Sequence, residues 1–164
     1  MIRCYLGLGA NLNEPYQQLQ TCLETLKQHP DITLTGYSSF YRSKPVGPQD
    51  QPDYVNAVAC IETDLQPLDL LDALQAIENG QGRVRLRRWG ERTLDIDILL
   101  VEDQRIDSER LTVPHVEMTN RLFVMLPLAE LAPALMLADG NRVQQHAERL
   151  ADQDELVIMG RPDI

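Results

Sequence analysis

Residues 2–101 switch hydrophobic period in a fixed order, and that order constrains the fold more than any other feature of the chain. The stretch "IRCYLGL" (2–8) alternates, with Ile2, Cys4, Leu6 and Leu8 on one face, and predicts a strand. In "GANLNEP" Asn13 takes a helix N-cap position and Pro15 the first turn; Leu19, Cys22, Leu23 and Leu26 then recur at helical spacing, which predicts an amphipathic helix over 14–28. His29-Pro30-Asp31 ends it. "ITLTGYSSFYR" (32–42) and "YVNAVACIET" (54–63) are rich in β-branched and aromatic residues and predict two more strands, separated by the loop "SKPVGPQDQPD". Pro67 opens a second helix with a stripe of Leu70, Leu71, Leu74 and Ile77, stopped by Gly80 and Gly82, and 94–101 predicts a fourth strand. The order β-α-β-β-α-β is that of the ferredoxin-like split βαβ arrangement: α+β, a mainly antiparallel sheet, both helices on one face and the other face open. A short hairpin around 102–107, helices near 123–132 and 142–151, and an edge strand at 156–159 are expected as C-terminal additions. With 164 residues and no repeat or linker, 1–164 reads as a single domain.

The strand "RTLDIDILLV" contains a conflict. Alternation places Asp95 and Asp97 on one face and Leu94, Ile96, Ile98 and Leu100 on the other. Neighbouring like charges on a sheet repel, and buried unpaired charges cost several kcal/mol. If the apolar set packs under the helices, both carboxylates face the open side, about 7 Å apart along the strand. They are then good ligands for a hard divalent cation such as Mg²⁺. The alternative is ion pairing with nearby arginines such as Arg92. Five arginines (Arg83, Arg85, Arg87, Arg88 and Arg92) lie in or just before this segment of a chain whose net charge is −10, with the only tryptophan, Trp89, among them. That local cluster points to a small anionic ligand. Metal and arginine together are what phosphoryl transfer needs, namely charge neutralisation and positioning.

Two further segments carry chemistry. In "RLTVPHVEMTNR", His115 lies between Arg110 and Arg121 and is either a phosphate donor or an ordinary surface histidine. In "YVNAV", Tyr54, Asn56 and Val58 share a face. On the open side, Asn56 can present donor and acceptor to a flat heterocycle with Tyr54 stacking on it; otherwise Tyr54 is core and Asn56 a polar edge residue.

Other classes are disfavoured. A net charge of −10 repels polyanions, so neither nucleic acid nor an anionic membrane is an expected partner. No apolar run approaches the roughly 20 residues that span a bilayer, and the N-terminal apolar stretch is too short for a signal core, so a cytoplasmic location is expected. Cys4, Cys22 and Cys60 show no metal or redox spacing and read as buried hydrophobes. "GLGAN" (7–11) lacks the Lys-Ser/Thr of a phosphate loop, and neither GxSxG nor zinc-type Cys-His spacing occurs. A nucleic-acid-binding sheet would not carry two aspartates at its centre, and a metabolite-sensing module has no use for metal ligands beside five arginines.

Five segments, "GLGANL" (7–12), "SSFYRSKPVGPQDQPDYVNAV" (38–58), "RWGERTLDIDILL" (88–100), "RLTVPHVEMTNR" (110–121) and "LPLAELAP" (126–133), resemble in order and spacing the motifs of the 6-hydroxymethyl-7,8-dihydropterin pyrophosphokinases, an enzyme family of folate biosynthesis. The resemblance implies a ferredoxin-like three-layer sandwich that moves a pyrophosphoryl group from ATP to the pterin hydroxymethyl and releases AMP; the sequence does not fix the oligomeric state, and a monomer is the expectation. It implies two Mg²⁺ held by Asp95 and Asp97, and a pterin ring between Tyr54 and Phe123 with Ser43, Asn56 and the backbone around Pro45–Val46 reading its edge. Trp89 and Asp95 also belong to the implied pterin site. Gln75, Glu78, Arg85, Trp89, Arg92, Ile98, Arg110, Thr112, His115 and Arg121 match nucleotide positions. Arg83, Arg92, Asp95, Asp97 and His115 form the implied catalytic set. Ser43 stands where the family usually has threonine, and Val116 where an aromatic is expected beside His115.

Overall fold

A computed structural model describes residues 1–45, 49–82, 93–153 and 155–164. The expectations for Val46, Arg83, Arg85, Trp89 and Arg92 lie outside the described residues. Within them the elements are β1 (Ile2–Ala10), α1 (Pro15–Gln28), β2 (Ile32–Tyr37), β3 (Phe40–Ser43), β4 (Tyr54–Thr63), α2 (Pro67–Gly80), β5 (Asp95–Val101), β6 (Ile106–Asp107), β7 (Thr112–Val113), a 3₁₀ turn (Met118–Asn120), α3 (Leu122–Leu131), α4 (Val143–Ala151) and β8 (Val157–Gly160). The main sheet runs β5-β1-β4-β3-β8, with β2 also paired to β4, and every one of these pairings is antiparallel.

The single strand expected over 32–42 is two strands. Between them Ser38, fully buried, donates its N–H to the Val58 carbonyl (2.9 Å) and accepts the Val58 N–H on its hydroxyl (2.9 Å). A serine side chain substitutes here for a ladder partner, which lets the chain step from β2 to β3 while both follow β4. The helix start also differs from expectation. Glu14, not Asn13, is the N-cap of α1; both residues have positive φ (59° and 54°), and neither side chain caps the helix. The hairpin expected around 102–107 pairs β6 with β7 instead.

The sheet is covered on both faces. On one, Leu6, Leu8, Ala57, Ile61, Ile96 and Ile98 pack against Leu19, Leu23 and Leu26 of α1 and Leu70 and Leu74 of α2. On the other, Val58 and Leu99 pack with Met125 and Leu128 of α3 and with Val143 and Leu150 of α4. The second face is therefore not open along its length, as the strand-and-helix order alone suggests. What remains uncovered is the end of the sheet at Gly7, Gly9, Asp95 and Asp97. Strict alternation also fails in β5. Ile98 pairs with Leu6, but Leu100 pairs with Tyr5, so Leu99 is the extra residue of a β-bulge. The bulge moves Leu100 away from the face of Leu94, Ile96 and Ile98 and onto the face of the aspartates, where it packs with Leu99, while Val101 returns to the first core.

Among the described residues no helix is long and apolar enough to cross a membrane.

Candidate functional site

The uncovered end of the sheet is built in rows. Gly9 lies across from Asn56 on one side and Asp95 on the other, and Gly7 lies across from Val58 and Asp97. Glycine weakens a strand, so two of them on one face of a central strand mark a place where something else must approach the backbone. A Cβ on Gly9 would stand 3.3 Å from Asn56 Oδ1 and 4.0 Å from the Tyr54 ring; one on Gly7 would stand 3.3 Å from the Leu99 side chain. The two glycines form the floor of a cavity of about 170 Å³ whose walls include Ser43, Lys44, Tyr54, Asn56, Asp95, Asp97, Leu99, His115, Arg121 and Phe123. Reading "GLGAN" only as a failed phosphate loop misses this role. The available signal was that the glycines alternate within a strand, opposite the buried face. Lys44 was missed too, a lone lysine inside a Pro-rich loop.

At one end of the cavity, buried Asn56 (5% exposed) donates from Nδ2 to the Ser43 hydroxyl at 2.7 Å. Its Oδ1 looks along the floor toward Gly9. The amide is fixed in one orientation and presents an acceptor to the cavity, as recognition of a heterocycle edge requires. The loop before Tyr54 is fastened by buried Asn11, whose Nδ2 donates to Gln51 Oε1 and to the Pro52 carbonyl, both at 2.9 Å. The Pro45 carbonyl, expected at the ring edge, accepts from Gln49 Nε2 at 2.9 Å.

At the other end, β5 presents Asp95 and Asp97. Between them, the Ile96 N–H donates to the carboxylate of Glu78 at 2.7 Å. Glu78 is 4% exposed, so this buried carboxylate braces the strand that carries the two aspartates. Its negative charge, after burial itself, also helps push the Cys22 thiol up to about 12. Ile98 turns its side chain into the helix-side core, so what it can offer a ligand is main chain. Its N–H and C=O point to the same strand edge as those of Ile96.

His115 is hung from the bulge: its N–H donates to the Leu99 carbonyl at 3.0 Å. Its Nδ1 accepts the Glu117 N–H at 3.2 Å, so in the neutral ring Nε2 carries the proton and is the donor left for a ligand. The Arg121 guanidinium stands 5.5 Å from the centroid of the Phe123 ring, within cation–π range. Val116, the departure beside His115, is 70% exposed.

The structure thus brings Ser43, Tyr54, Asn56, Asp95, Asp97, His115, Arg121 and Phe123 to one cavity. Gln75, Glu78, Ile98, Arg110, Thr112 and Pro45 do not line it. Gln75 and Arg110 meet each other on the outer side of α2, where an Arg110 Nη donates to Asp72 at 2.6 Å and to Gln75 at 3.4 Å. Thr112 is exposed on β7. Among the described residues no group of three or more His, Cys, Asp or Glu forms a metal cage, and Asp95 and Asp97 are the described carboxylates that line the cavity.

Residues 5–133 match the family described as 7,8-dihydro-6-hydroxymethylpterin-pyrophosphokinase (HPPK). The 2-amino-4-hydroxy-6-hydroxymethyldihydropteridine pyrophosphokinase of Haemophilus influenzae is 57% identical over 152 residues, covering 93% of this chain and 95% of that one. The enzyme of the same name from Pseudomonas aeruginosa is 54% identical over 143 residues, 87% of this chain and 88% of that one. Among solved structures, an HPPK-DHPS chain in complex with substrates matches with a TM-score of 0.74 at 11% identity, over 93% of this chain and 44% of that one. The Plasmodium falciparum HPPK-DHPS chain with SDX-DHP matches with a TM-score of 0.70 at 14% identity, again over 93% and 44%. Identities this low speak for the fold alone; the family rests on the sequence matches. On those sequence matches, this chain belongs to the 7,8-dihydro-6-hydroxymethylpterin-pyrophosphokinase family.

Proposed function

We propose that this chain transfers the pyrophosphoryl group of ATP to the hydroxymethyl group of 6-hydroxymethyl-7,8-dihydropterin, giving AMP and the pterin diphosphate for folate biosynthesis. The observation that carries the proposal is the continuity of the cavity from the Ser43–Asn56 pair to Asp95 and Asp97. It lets one bound molecule present a ring to the first and a reacting hydroxyl to the second. The chain acts as one cytoplasmic, monomeric domain over 1–164 with a ferredoxin-like sheet. The antiparallel order β5-β1-β4-β2 and the packing of α1 and α2 on one face support that topology.

Tyr54 and Phe123 hold the pterin ring, and Ser43 and Asn56, with the backbone around Pro45–Val46 and Trp89, fix its edge. His115 donates from Nε2, and Arg121 from its guanidinium, to the phosphates. Gln75, Glu78, Arg85, Ile98, Arg110 and Thr112 complete the nucleotide side, and Arg83 and Arg92 take up charge in the transition state. The two carboxylates fit Mg²⁺, a hard cation that takes oxygen ligands and leaves its other positions to water and substrate phosphates. Asp95 and Asp97 would hold the metal, two ions in this reading, and when bound it supplies charge neutralisation at the transferring group. The hydroxyl oxygen bonds to the β-phosphorus in line with the bridge to the α-phosphate; the β-phosphorus–oxygen bond of that bridge breaks, the bridging oxygen leaves with AMP, and the hydroxyl proton passes to solvent.

Release of AMP rather than ADP has a physical basis in the chain. The sequence lacks the Lys-Ser/Thr phosphate loop with which, in many nucleotide sites, backbone N–H groups enclose the terminal phosphates. Side-chain donors between Arg83 and Arg121 grip them instead, leaving the middle phosphorus open to attack. Chromatography or ³¹P NMR of a single reaction mixture tests this: AMP and pterin diphosphate are expected in equal amounts, and ADP with a pterin monophosphate would overturn the assignment.

A further inference from the structure

Behind the cavity, one buried histidine sits in a chain of hydrogen bonds that reaches the site without touching it. His146 of α4 is 7% exposed. Its Nε2 lies 2.7 Å from Asp139 Oδ2, and its Nδ1 lies 3.0 Å from an Nη of Arg149. Arginine only donates, so Nδ1 accepts and Nε2 carries the proton given to Asp139, which defines a single neutral tautomer. Asp139 is itself fixed by accepting the Asn141 N–H at 2.9 Å. The same Arg149 nitrogen donates to the Thr119 carbonyl at 2.8 Å.

Thr119 is the middle residue of the Met118–Asn120 turn. The turn begins where the Met118 N–H meets the His115 carbonyl at 3.3 Å, and it ends where the Arg121 N–H meets the Met118 carbonyl at 3.4 Å. His115 on one side of it and Arg121 and Phe123 on the other all line the cavity. Besides the burial of Met118 in the core under α3 and α4, the segment has two hydrogen-bonded anchors outside itself: the bulge carbonyl of Leu99 under His115, and Arg149 on Thr119. If the first sets the depth of His115, the second sets the tilt of the turn and hence the separation of His115 from Arg121.

We propose that Asp139, His146 and Arg149 are positioning residues of the transfer site, holding the Thr119 carbonyl so that His115 and Arg121 meet the phosphates together. The proposal rests on the reading of the cavity given above. None of the three lines the cavity, so any effect on turnover must pass through the turn. Misplacement of about 1 Å at a reacting group can cost a hundredfold in rate.

The test compares Arg149→Met and His146→Leu, which break the relay, with Arg149→Lys and His146→Gln, which preserve it; glutamine can still donate to Asp139 and accept from Arg149. Each is assayed well below its own melting temperature. The breaking variants should lose about tenfold in kcat/KM, the conservative ones should recover most of it, and Arg149→Met with His146→Leu together should be no worse than either alone. Imidazole ¹H–¹⁵N NMR gives a readout that needs no turnover. His146 should show only the Nε2–H tautomer, and Arg149→Met should move the His115 ring signals. A variant that melts lower yet keeps wild-type kcat/KM and unshifted His115 signals would overturn the proposal and leave α4 a purely structural brace. If wild-type protein makes no pterin diphosphate, the reading of the cavity fails on its own. The NMR comparison still decides whether the relay positions His115.

Discussion

Gly9 and Asn56 face each other on the cavity floor, and one methyl group would close the space between them. In Gly9→Ala the new Cβ meets Asn56 Oδ1 at 3.3 Å, and Asn56 cannot easily yield because its amide is bound to Ser43. Gly7→Ala meets the buried Leu99 side chain at 3.3 Å, a contact with the core under α3 rather than with a group that reads the ring. Pterin binding, measured by titration of its fluorescence, should weaken by about tenfold, roughly 1.4 kcal/mol, in Gly9→Ala and clearly less in Gly7→Ala. Equal affinities in the two variants would mean the ring does not lie over Gly9. The aspartates make a different prediction. An amide is a poorer Mg²⁺ ligand than a carboxylate, so Asp95→Asn or Asp97→Asn should lower turnover by about 10³-fold at saturating Mg²⁺. The fold should survive, because each replacement also removes one member of a like-charge pair on one sheet face. Steady-state rates beside thermal melts check both halves, and a wild-type rate in either variant would remove the metal assignment.

At the scale of elements, β5 shows how far the sequence can be read. Alternation places Asp95, Ile96, Asp97 and Ile98 correctly, then fails at Leu99, because "LLV" offers three apolar residues in a row and no pattern to show which is the extra one. The covered second face was illegible for a similar reason. The segment "LFVMLPLAEL" of α3 is apolar nearly all round, so it has no polar stripe to show which side meets the sheet. By contrast, the polar residues that sit two apart on a strand were legible: Tyr54 and Asn56 on β4, Asp95 and Asp97 on β5. The long-range pairings, Glu78 with Ile96 or Arg149 with Thr119, leave no local trace. The bulge predicts a measurable cost. Leu99 is 1% exposed and joins the sheet to α3, so Leu99→Ala should destabilise the protein by about 2–5 kcal/mol in denaturant titrations. It should also weaken catalysis at temperatures where it remains folded, because His115 hangs from the Leu99 carbonyl. A loss below about 1 kcal/mol would mean that the layer formed by α3 and α4 packs without this contact.

The whole molecule places its chemistry on one side of a sheet and keeps the other side dry, and the dry side carries a signature in pH. Cys4 of β1 and Cys22 of α1 are buried in the helix-side core. Burial, with Cys60 and Glu102 nearby, pushes the Cys4 thiol up to about 11, and burial together with Glu78 pushes Cys22 up to about 12. Both thiols keep their protons in the folded state at pH values where an unfolded chain, at the ordinary 9.0, loses them. Their contribution to stability is therefore complete below pH 9 and is lost as pH rises from there through about 11 for Cys4 and about 12 for Cys22. Each thiol can remove up to about 1.4 kcal/mol per pH unit within its window. Self-repulsion in a chain already at −10 acts in the same direction, so a falling stability in wild type alone would not separate the causes. Comparison with Cys22→Ala does. The variant is less stable at every pH because of the cavity it leaves, but the gap should stay constant up to pH 9 and narrow above it, as wild type alone pays for the unfolded thiolate. Urea midpoints taken every half unit from pH 7 to 10.5 measure that gap. A gap that does not narrow would mean that the Cys22 thiol titrates alike in the folded and unfolded chains and that the layer beneath the sheet is open to water.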